Sequence, residues 1–197
     1  TIEEAAAYVQ QFDAQGLPTY TACASYRERF VDVEQRNGTI KRKVRIQKNV
    51  RAAKALWTEL DIAVGDSQKF ESREAAIDAL VIFCQATSVP VPTIISSGTG
   101  FHLYWELSAE VSPGLWQQAA DGLKALFVAA GFKASRERTA DIASILRPVG
   151  SWHRKDPSNP RAVECIHEAA PTEYTVLRAS IQAALDTRGI KVPERAR

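Results

Sequence analysis

The chain has 197 residues, of which 45% are apolar and 24% are charged, and it includes ten glycines and nine prolines. This composition excludes disordered, fibrous and collagen-like proteins, and no apolar run approaches the roughly 18 residues of a membrane helix. Three widely spaced cysteines, Cys23, Cys84 and Cys165, indicate neither a disulfide framework nor a paired-cysteine zinc site. We expect a soluble protein of the reducing cytosol with no membrane partner.

The formal charge of +2 is unevenly distributed along the chain. Residues 41–54 carry seven basic side chains and no acidic one, so the remainder is net negative. A basic stretch beside an acidic remainder favours contact with a phosphate backbone, although a solvated loop is an alternative interpretation.

Four amphipathic helices are predicted, and all four are expected to face the core. Thr1 and Ser72 are the expected caps of the first two, and Gly16 and Pro18 close the first. The apolar stripes are Ile2, Ala5, Val9 and Phe12; Ile77, Leu80, Val81 and Cys84; Trp116, Ala119, Leu123, Phe127 and Ala130; and Tyr174, Leu177, Ile181 and Leu185.

Strand-like runs lie between the helices at 19–25, 56–64, 93–97, 101–107 and 162–167. Mixed strands and helices predict an α/β or α+β fold. No repeat or linker separates these elements, so they are expected to pack as one domain. The third and fourth strands flank Gly98-Thr99-Gly100, which predicts a hairpin with a tight turn.

Alternation along the second strand places Glu59 and Asp61 on the same face, about 7 Å apart. Two carboxylates this close repel each other unless a cation lies between them, and hard divalent ions prefer oxygen ligands. The pair is therefore a candidate metal site. Two solvated acids on an exposed edge strand are the alternative.

In the strand 101–107, the same alternation predicts a packed face bearing Phe101 and Trp105 and an emergent His102 on the other face. Beside the small-residue turn that includes Ser97 and Gly100, this imidazole can donate to phosphate oxygens.

A third cluster, between Asp141 and Lys155, combines one acid with several basic groups. Arg147 suits phosphate through its planar fork and Lys155 as a point charge, which predicts a triphosphate site. A solubilising surface loop is the alternative.

Taken in order, the three clusters resemble the motifs of the archaeo-eukaryotic primase superfamily, especially phage and plasmid primase-polymerase domains. The matching segments are Leu56-Trp-Thr-Glu59-Leu-Asp61-Ile, Ser96-Ser-Gly-Thr-Gly-Phe-His102-Leu-Tyr-Trp105, and Asp141 with Leu146-Arg147 and Gly150-Ser-Trp-His153-Arg-Lys155. The chain departs from the family pattern at Glu59, at Pro148-Val149 and at His153, where the family often has Asp, Val-Pro and Asn.

The resemblance implies a two-lobed α/β body with an RNA-recognition-motif-like sheet and a central catalytic cleft. It implies primer synthesis or DNA polymerisation by a magnesium- or manganese-dependent nucleotidyltransferase. Glu59, Asp61 and Asp141 would hold two Mg²⁺ or Mn²⁺ ions. The residues expected to bind the nucleoside triphosphate are Ser97, Gly100, His102, Arg147, His153 and Lys155.

A single-stranded DNA template is the expected nucleic-acid partner, bound through Lys41, Arg42, Lys43, Arg45, Lys48 and Arg51. The resemblance also implies a helicase domain on the same or a partner chain, in the cytoplasm of a bacterial host of a phage or plasmid. The absent initiator Met and the basic end at 195–197 indicate a domain excised from a longer chain.

Three alternatives stay open. A two-metal nuclease would use the same acids with water as nucleophile. A replication-initiator or single-strand-binding module would keep the fold without turnover, as the departures at Glu59 and His153 would allow. Zinc chemistry through Cys165, His167 and His153 lacks paired ligand spacing.

Overall fold

A computed structural model describes residues 2–193, and within that range the chain forms four α-helices, two short 3₁₀ helices and eleven strands. The α-helices are α1 (Ile2–Ala14), α2 (Arg73–Thr87), α3 (Pro113–Ala129) and α4 (Tyr174–Thr187), and the 3₁₀ helices are Gln47–Asn49 and Arg138–Ala140. The strands are β1 (Thr21–Ala22), β2 (Ala24–Tyr26), β3 (Val31–Glu34), β4 (Ile40–Lys43), β5 (Val50–Leu60), β6 (Thr93–Ser96), β7 (Phe101–Val111), β8 (Ile145–Leu146), β9 (Trp152–His153), β10 (Arg161–Ala162) and β11 (Glu164–His167).

The main sheet has five strands in the order β11-β6-β7-β5-β2, and every neighbouring pair is antiparallel. Three two-stranded ribbons, β1–β8, β3–β4 and β9–β10, lie outside it in the described part of the chain. This arrangement confirms the predicted mixed α/β class. None of the described helices combines the length and apolar character required to cross a membrane.

The core lies between this sheet and the helices. Phe101, Leu103, Trp105 and Leu107 of β7 are at most 3% exposed, which confirms the predicted packed face. Trp105 contacts Phe127 of α3 at 6.2 Å between ring centroids. Burying each such side chain stabilises the fold by roughly 1.5–3 kcal/mol.

Helix α2 begins where the sequence predicts. The Ser72 hydroxyl accepts the N–H of Ala75 at 3.1 Å, as an N-cap does. Leu80 and Cys84 are buried, so Cys84 is a packing residue, whereas Val81 of the same predicted stripe is exposed.

Helix α1 does not face the core, and the expectation that it would is wrong. Of its described side chains only Val9 is buried, while Tyr8 and Phe12 are exposed. A helical period reveals an apolar face but not which surface that face will meet. The expected cap, Thr1, lies outside the described residues.

The predicted strand at 56–64 has the wrong bounds, because β5 spans Val50–Leu60. In the first half of β5, exposed basic residues alternate with small buried ones, such as Arg51 with Ala52. Small buried residues produce little of the hydrophobic alternation by which a strand is predicted. After Leu60 the chain turns, and the N–H of Phe70 donates to the carbonyl of Asp61 at 3.0 Å. Asp61 therefore stands just beyond the strand end.

Two other predicted strands are divided. The run 19–25 forms β1 and β2, and the run 162–167 forms β10 and β11. The predicted hairpin is confirmed, since β6 and β7 pair from Thr93↔Tyr104 to Ser96↔Phe101.

Candidate active site

Glu59 is the penultimate residue of β5 and Asp61 follows the strand, whereas the sequence predicts both within a strand at 56–64. Glu59 is half-buried and pairs in register with His102 of β7, whereas Asp61 is exposed. Partial burial and the nearby charge of Glu59 raise the pKa of Asp61, and Lys69 and Lys155 act in the opposite direction. The Asp61 carboxylate makes no hydrogen bond or ion pair with any described residue. It is an unpartnered acid between another acid and two lysines.

Glu59 is held by two basic side chains. Its carboxylate lies 3.7 Å from Nε2 of His102 and 3.7 Å from Nε of Arg138. The neighbouring His102 imidazole, together with Arg138 and Arg147, holds the pKa of Glu59 below its ordinary value against the effect of burial. The pKa values of the two acids are therefore shifted in opposite directions, that of Glu59 downward and that of Asp61 upward.

His102 is fully buried, so the expectation that it would emerge from the sheet is wrong. Strand alternation identifies its face correctly, but the chain around Cys23 and Arg138 covers that face near Glu59. Neither ring nitrogen of His102 has a hydrogen-bond partner. Burying polar atoms without hydrogen-bond partners costs folding free energy. Buried polar groups of this kind are found at sites where a ligand supplies the missing hydrogen bond.

The basic groups of the third cluster reach the acid pair. Arg147 lowers the pKa of Glu59, and Lys155 lowers that of Asp61. His153 is buried in β9, and burial, followed by the charges of Arg147, Arg161 and Lys155, lowers its pKa. The charges of Arg147 and Lys155 therefore act on His153 and on the acid pair, Arg147 on Glu59 and Lys155 on Asp61.

Tyr20, which the sequence did not single out, fixes Arg147. The guanidinium donates to the Tyr20 hydroxyl at 2.9 Å and lies 4.9 Å from the centre of its ring. The buried Nε of Arg147 has no hydrogen-bond partner. An aromatic residue far away in sequence gives no local signal for such a contact.

The turn containing Ser97 and Gly100 packs closely against the site. The Ser97 hydroxyl accepts the N–H of Gly100 at 3.2 Å, and the Ser97 N–H donates to the Gly100 carbonyl at 3.0 Å. Gly98 has φ of +95°, and a Cβ there would lie 2.5 Å from Cβ of His153. A Cβ at Gly100 would collide with the carbonyl oxygen of Leu60. The turn therefore packs against His153 at Gly98 and against the end of β5 at Gly100. A residue with a side chain would not fit at either position.

Asp141 lies nearby but is engaged by its own loop. Its carboxylate accepts the N–H of Ala143 at 3.0 Å and the hydroxyl of Ser144 at 3.4 Å. Its charge and that of Glu59 both raise the pKa of Cys23, although burial is the larger cause of the shift to about 12. The charges of Asp141 and Glu59 therefore both act on the half-buried Cys23 thiol.

The described residues contain no group of three or more His, Cys, Asp or Glu side chains close enough to hold a metal ion. The structure therefore brings together neither the three expected acids nor Cys165, His167 and His153. The carboxylates of Glu59 and unpartnered Asp61 still fit a hard divalent cation in donor chemistry.

The basic stretch is divided among β4, the 3₁₀ helix Gln47–Asn49 and β5. Lys41, Arg42 and Lys43 form the exposed strand β4, with Arg45 and Lys48 following it. Arg51 lies on β5 and pairs with Glu110 at 2.8 Å.

The β3–β4 ribbon also carries an aromatic residue that the sequence-based predictions missed. Arg29 and Arg42 lie 5.2 and 5.6 Å from the ring centre of Phe30, whose exposed fraction is 46%. In the sequence, Phe30 directly follows Arg29, and an aromatic residue beside a basic one is the signal that identifies it.

Comparison with protein-family models and with curated proteins finds no match. Among solved structures, the AEP domain of the cyanophage S-2L primase-polymerase is similar to this chain, with a TM-score of 0.58 and 14% sequence identity. The alignment covers 89% of this chain and 76% of that chain. The fold is of the archaeo-eukaryotic primase (AEP) type. At this identity the likeness concerns the fold, so the chemistry of the site depends on the residues described above.

Proposed function

We propose that this protein is a template-dependent nucleotidyltransferase that makes or extends primers in phage or plasmid DNA replication. The observation that carries the proposal is Asp61, an unpartnered carboxylate beside Glu59 and within the field of Lys155. A fold similar to that of a primase-polymerase domain supports the same reaction class.

In the proposed reaction, a 3′-hydroxyl oxygen bonds to the α-phosphorus of a nucleoside triphosphate. The bond from that phosphorus to the bridging oxygen breaks, pyrophosphate leaves with the electron pair, and the hydroxyl proton passes to solvent. Phosphoryl transfer needs little covalent work from the protein, so positioning and charge neutralisation dominate.

Glu59 and Asp61 would hold Mg²⁺ or Mn²⁺, which when bound would lower the pKa of the hydroxyl and neutralise phosphate charge. Asp141 would have to release the Ala143 N–H and the Ser144 hydroxyl to join them as a ligand. The planar guanidinium of Arg147 would donate two hydrogen bonds to phosphate oxygens. The ammonium group of Lys155 would attract them as a point charge. His102, whose Nε2 lies 3.7 Å from Glu59 and whose Nδ1 has no hydrogen-bond partner, would bind the same phosphates. Ser97 and Gly100 would act by holding His153 and the end of β5 in place.

For the template, we propose a single DNA strand along the β3–β4 ribbon, bound by Lys41, Arg42, Lys43, Arg45 and Lys48. Arg51 would contribute less, because Glu110 neutralises it. A helicase domain on the same or a partner chain, and a place in the bacterial host cytoplasm, belong to the same proposal.

The test is extension of a labelled primer on a single-stranded template with nucleoside triphosphates and Mg²⁺ or Mn²⁺. We expect longer products from the wild-type protein and none above background from Asp61→Asn. The control is Asp66→Asn, because Asp66 pairs with Lys69 at 3.5 Å instead of facing Glu59. Template shortening would indicate a nuclease, and extension by Asp61→Asn at the wild-type rate would remove Asp61 from the site.

A non-catalytic replication-initiator or single-strand-binding module is the second candidate. The observation in its favour is that Glu59 contacts two basic groups and Asp141 is engaged by its own loop. Binding of single-stranded DNA with no extension in either metal would select this candidate and reject the first.

A further inference from the structure

A cavity of about 420 Å³ opens beside Asp61, between the loop after β5 and the loop after α3. Its volume lies in the range of roughly 300–1,000 Å³ that small-ligand sites occupy. Among the residues lining it, those that can bind a polar ligand are Ser67, Gln68, Lys69, Lys133, Ser135 and Arg136.

The loop after α3 is fixed against the acid pair. The N–H of Ser135 donates to the carbonyl of Glu59 at 2.9 Å. On the same loop, Phe132 is buried and packs against Phe70 at 5.6 Å between ring centroids. These contacts hold one wall of the cavity to the strand that carries Glu59.

The other wall is tied to this loop by Lys133. Its ammonium group donates to the carbonyl of Lys69 at 2.9 Å and lies 5.9 Å from the ring centre of Phe70. The cavity is therefore a preformed space bounded by two linked loops, which reduces the ordering cost of binding.

The charge of the lining favours an anionic ligand. Three cationic side chains, Lys69, Lys133 and Arg136, outnumber the acidic side chains Asp61 and Glu137. Lys69 is paired with Asp66, but Arg136 makes no ion pair with a described residue and is exposed. Hydroxyl and amide groups from Ser67, Ser135 and Gln68 complete a lining suited to sugar and phosphate.

Asp61 is common to this cavity and to the proposed triphosphate region. Lys155, Arg147 and His153, which are proposed for the triphosphate, do not line the cavity. Nucleotidyl transfer requires two phosphate-bearing substrates that meet at the acids. With the triphosphate on the Arg147 and Lys155 groups, a second anionic site touching Asp61 suits the other substrate.

We infer that this cavity binds the 3′-terminal nucleotide of the primer strand, with Arg136 contacting its phosphate. The inference rests on the proposed function, since it names the binding site of the acceptor in that reaction.

The test uses a primer–template duplex whose primer ends in a photoreactive 4-thiothymidine, irradiated with the full chain and mapped by mass spectrometry. We expect adducts in residues 131–137 or 67–69, and a yield lowered about fivefold by Arg136→Glu, as for loss of a partly exposed ion pair. Lys124→Glu makes the same charge change on α3 outside the cavity and is expected to keep the wild-type yield.

Adducts confined to other segments, or an undiminished yield with Arg136→Glu, would overturn the assignment. Crosslinking needs no turnover, so it reports on the cavity even if the protein makes no product. Primer extension together with adducts elsewhere would leave the proposed function standing and remove only this inference.

Discussion

At the residue scale, the site depends on polar groups that the protein leaves without partners. Both nitrogens of His102 and Nε of Arg147 are buried without a hydrogen bond, and Asp61 has no ion pair with a described residue. Each arrangement costs folding free energy, because a buried or repelled polar group is less stable than the same group in water. Of the six buried side-chain atoms without a hydrogen-bond partner in the described residues, three belong to His102 and Arg147, where a ligand can relieve the cost.

His153 gives the first prediction, on pH. Burial and three neighbouring cations hold the pKa of His153 below its ordinary 6.5. The unfolded chain therefore binds this proton more readily, and stability falls as the pH drops through that value toward the folded-state pKa. We expect His153→Gln to lose less stability than the wild type between about pH 7 and pH 5.

Urea unfolding at a series of pH values measures this difference. His167→Gln, on the exposed strand β11, serves as the control and should follow the wild-type pH dependence. Parallel curves for the wild type and His153→Gln would contradict the prediction.

At the element scale, the turn between β6 and β7 holds the strand ends together. A Cβ on Gly100 would collide with the Leu60 carbonyl, so Gly100→Ala must move the turn or the end of β5. We expect a loss of about 1–3 kcal/mol of unfolding free energy, as for an overpacked core. Chemical denaturation measures it.

Gly114 is the matched control for that substitution. It lies in α3, and a Cβ at this position would have no neighbouring atom within 4 Å. Gly114→Ala should therefore be neutral or stabilise the protein by up to about 1 kcal/mol. Equal effects of the two substitutions would show that the turn is not tightly constrained.

The β3–β4 ribbon gives a prediction about DNA. Lys41 and Lys43 share one face of β4 and have no ion-pair partner among the described residues, so they are free to contact phosphate. In Lys41→Ala/Lys43→Ala we expect weaker binding of single-stranded DNA. The salt dependence should fall by about 0.7 in logarithmic slope per lysine that contacts phosphate.

Fluorescence anisotropy with labelled oligo(dT) over a range of salt concentrations measures both quantities. The double variant Lys124→Ala/Arg178→Ala removes the same charge from α3 and α4 and should bind as the wild type does. If both double variants lose the same affinity, general charge and not the ribbon would explain binding.

At the scale of the whole molecule, the Asp13 carboxylate ties α1 to β9 and to the residue after it. Asp13 accepts the N–H of Trp152, 139 positions away, and pairs with Arg154 at 3.0 Å. The Asp13 and Arg154 side chains are only 12% and 23% exposed, so Asp13→Ala leaves a half-buried cation without its partner. We expect a loss of about 1–3 kcal/mol of unfolding free energy.

The control for Asp13 is Asp32, whose pair with Arg42 is mostly exposed. Asp32→Ala should change stability by less than about 1 kcal/mol. Thermal and urea unfolding compare the two variants. Equal losses of unfolding free energy would show that the Asp13 contacts between α1 and β9 stabilise the protein no more than an exposed ion pair does.

The sequence by itself determined the mixed α/β class, helix α2 with its Ser72 cap and the packed face of β7. These features follow from periods of 3.6 and 2 residues and from local capping, which a linear sequence displays directly.

Only the tertiary structure decided that His102 is buried, that β5 begins at Val50 and that α1 lies outside the core. It also decided that Tyr20 holds Arg147 and that a basic cavity opens beside Asp61. The physical reason is that burial and electrostatic environment depend on which distant segments cover a face, whereas periodicity records only which residues share one.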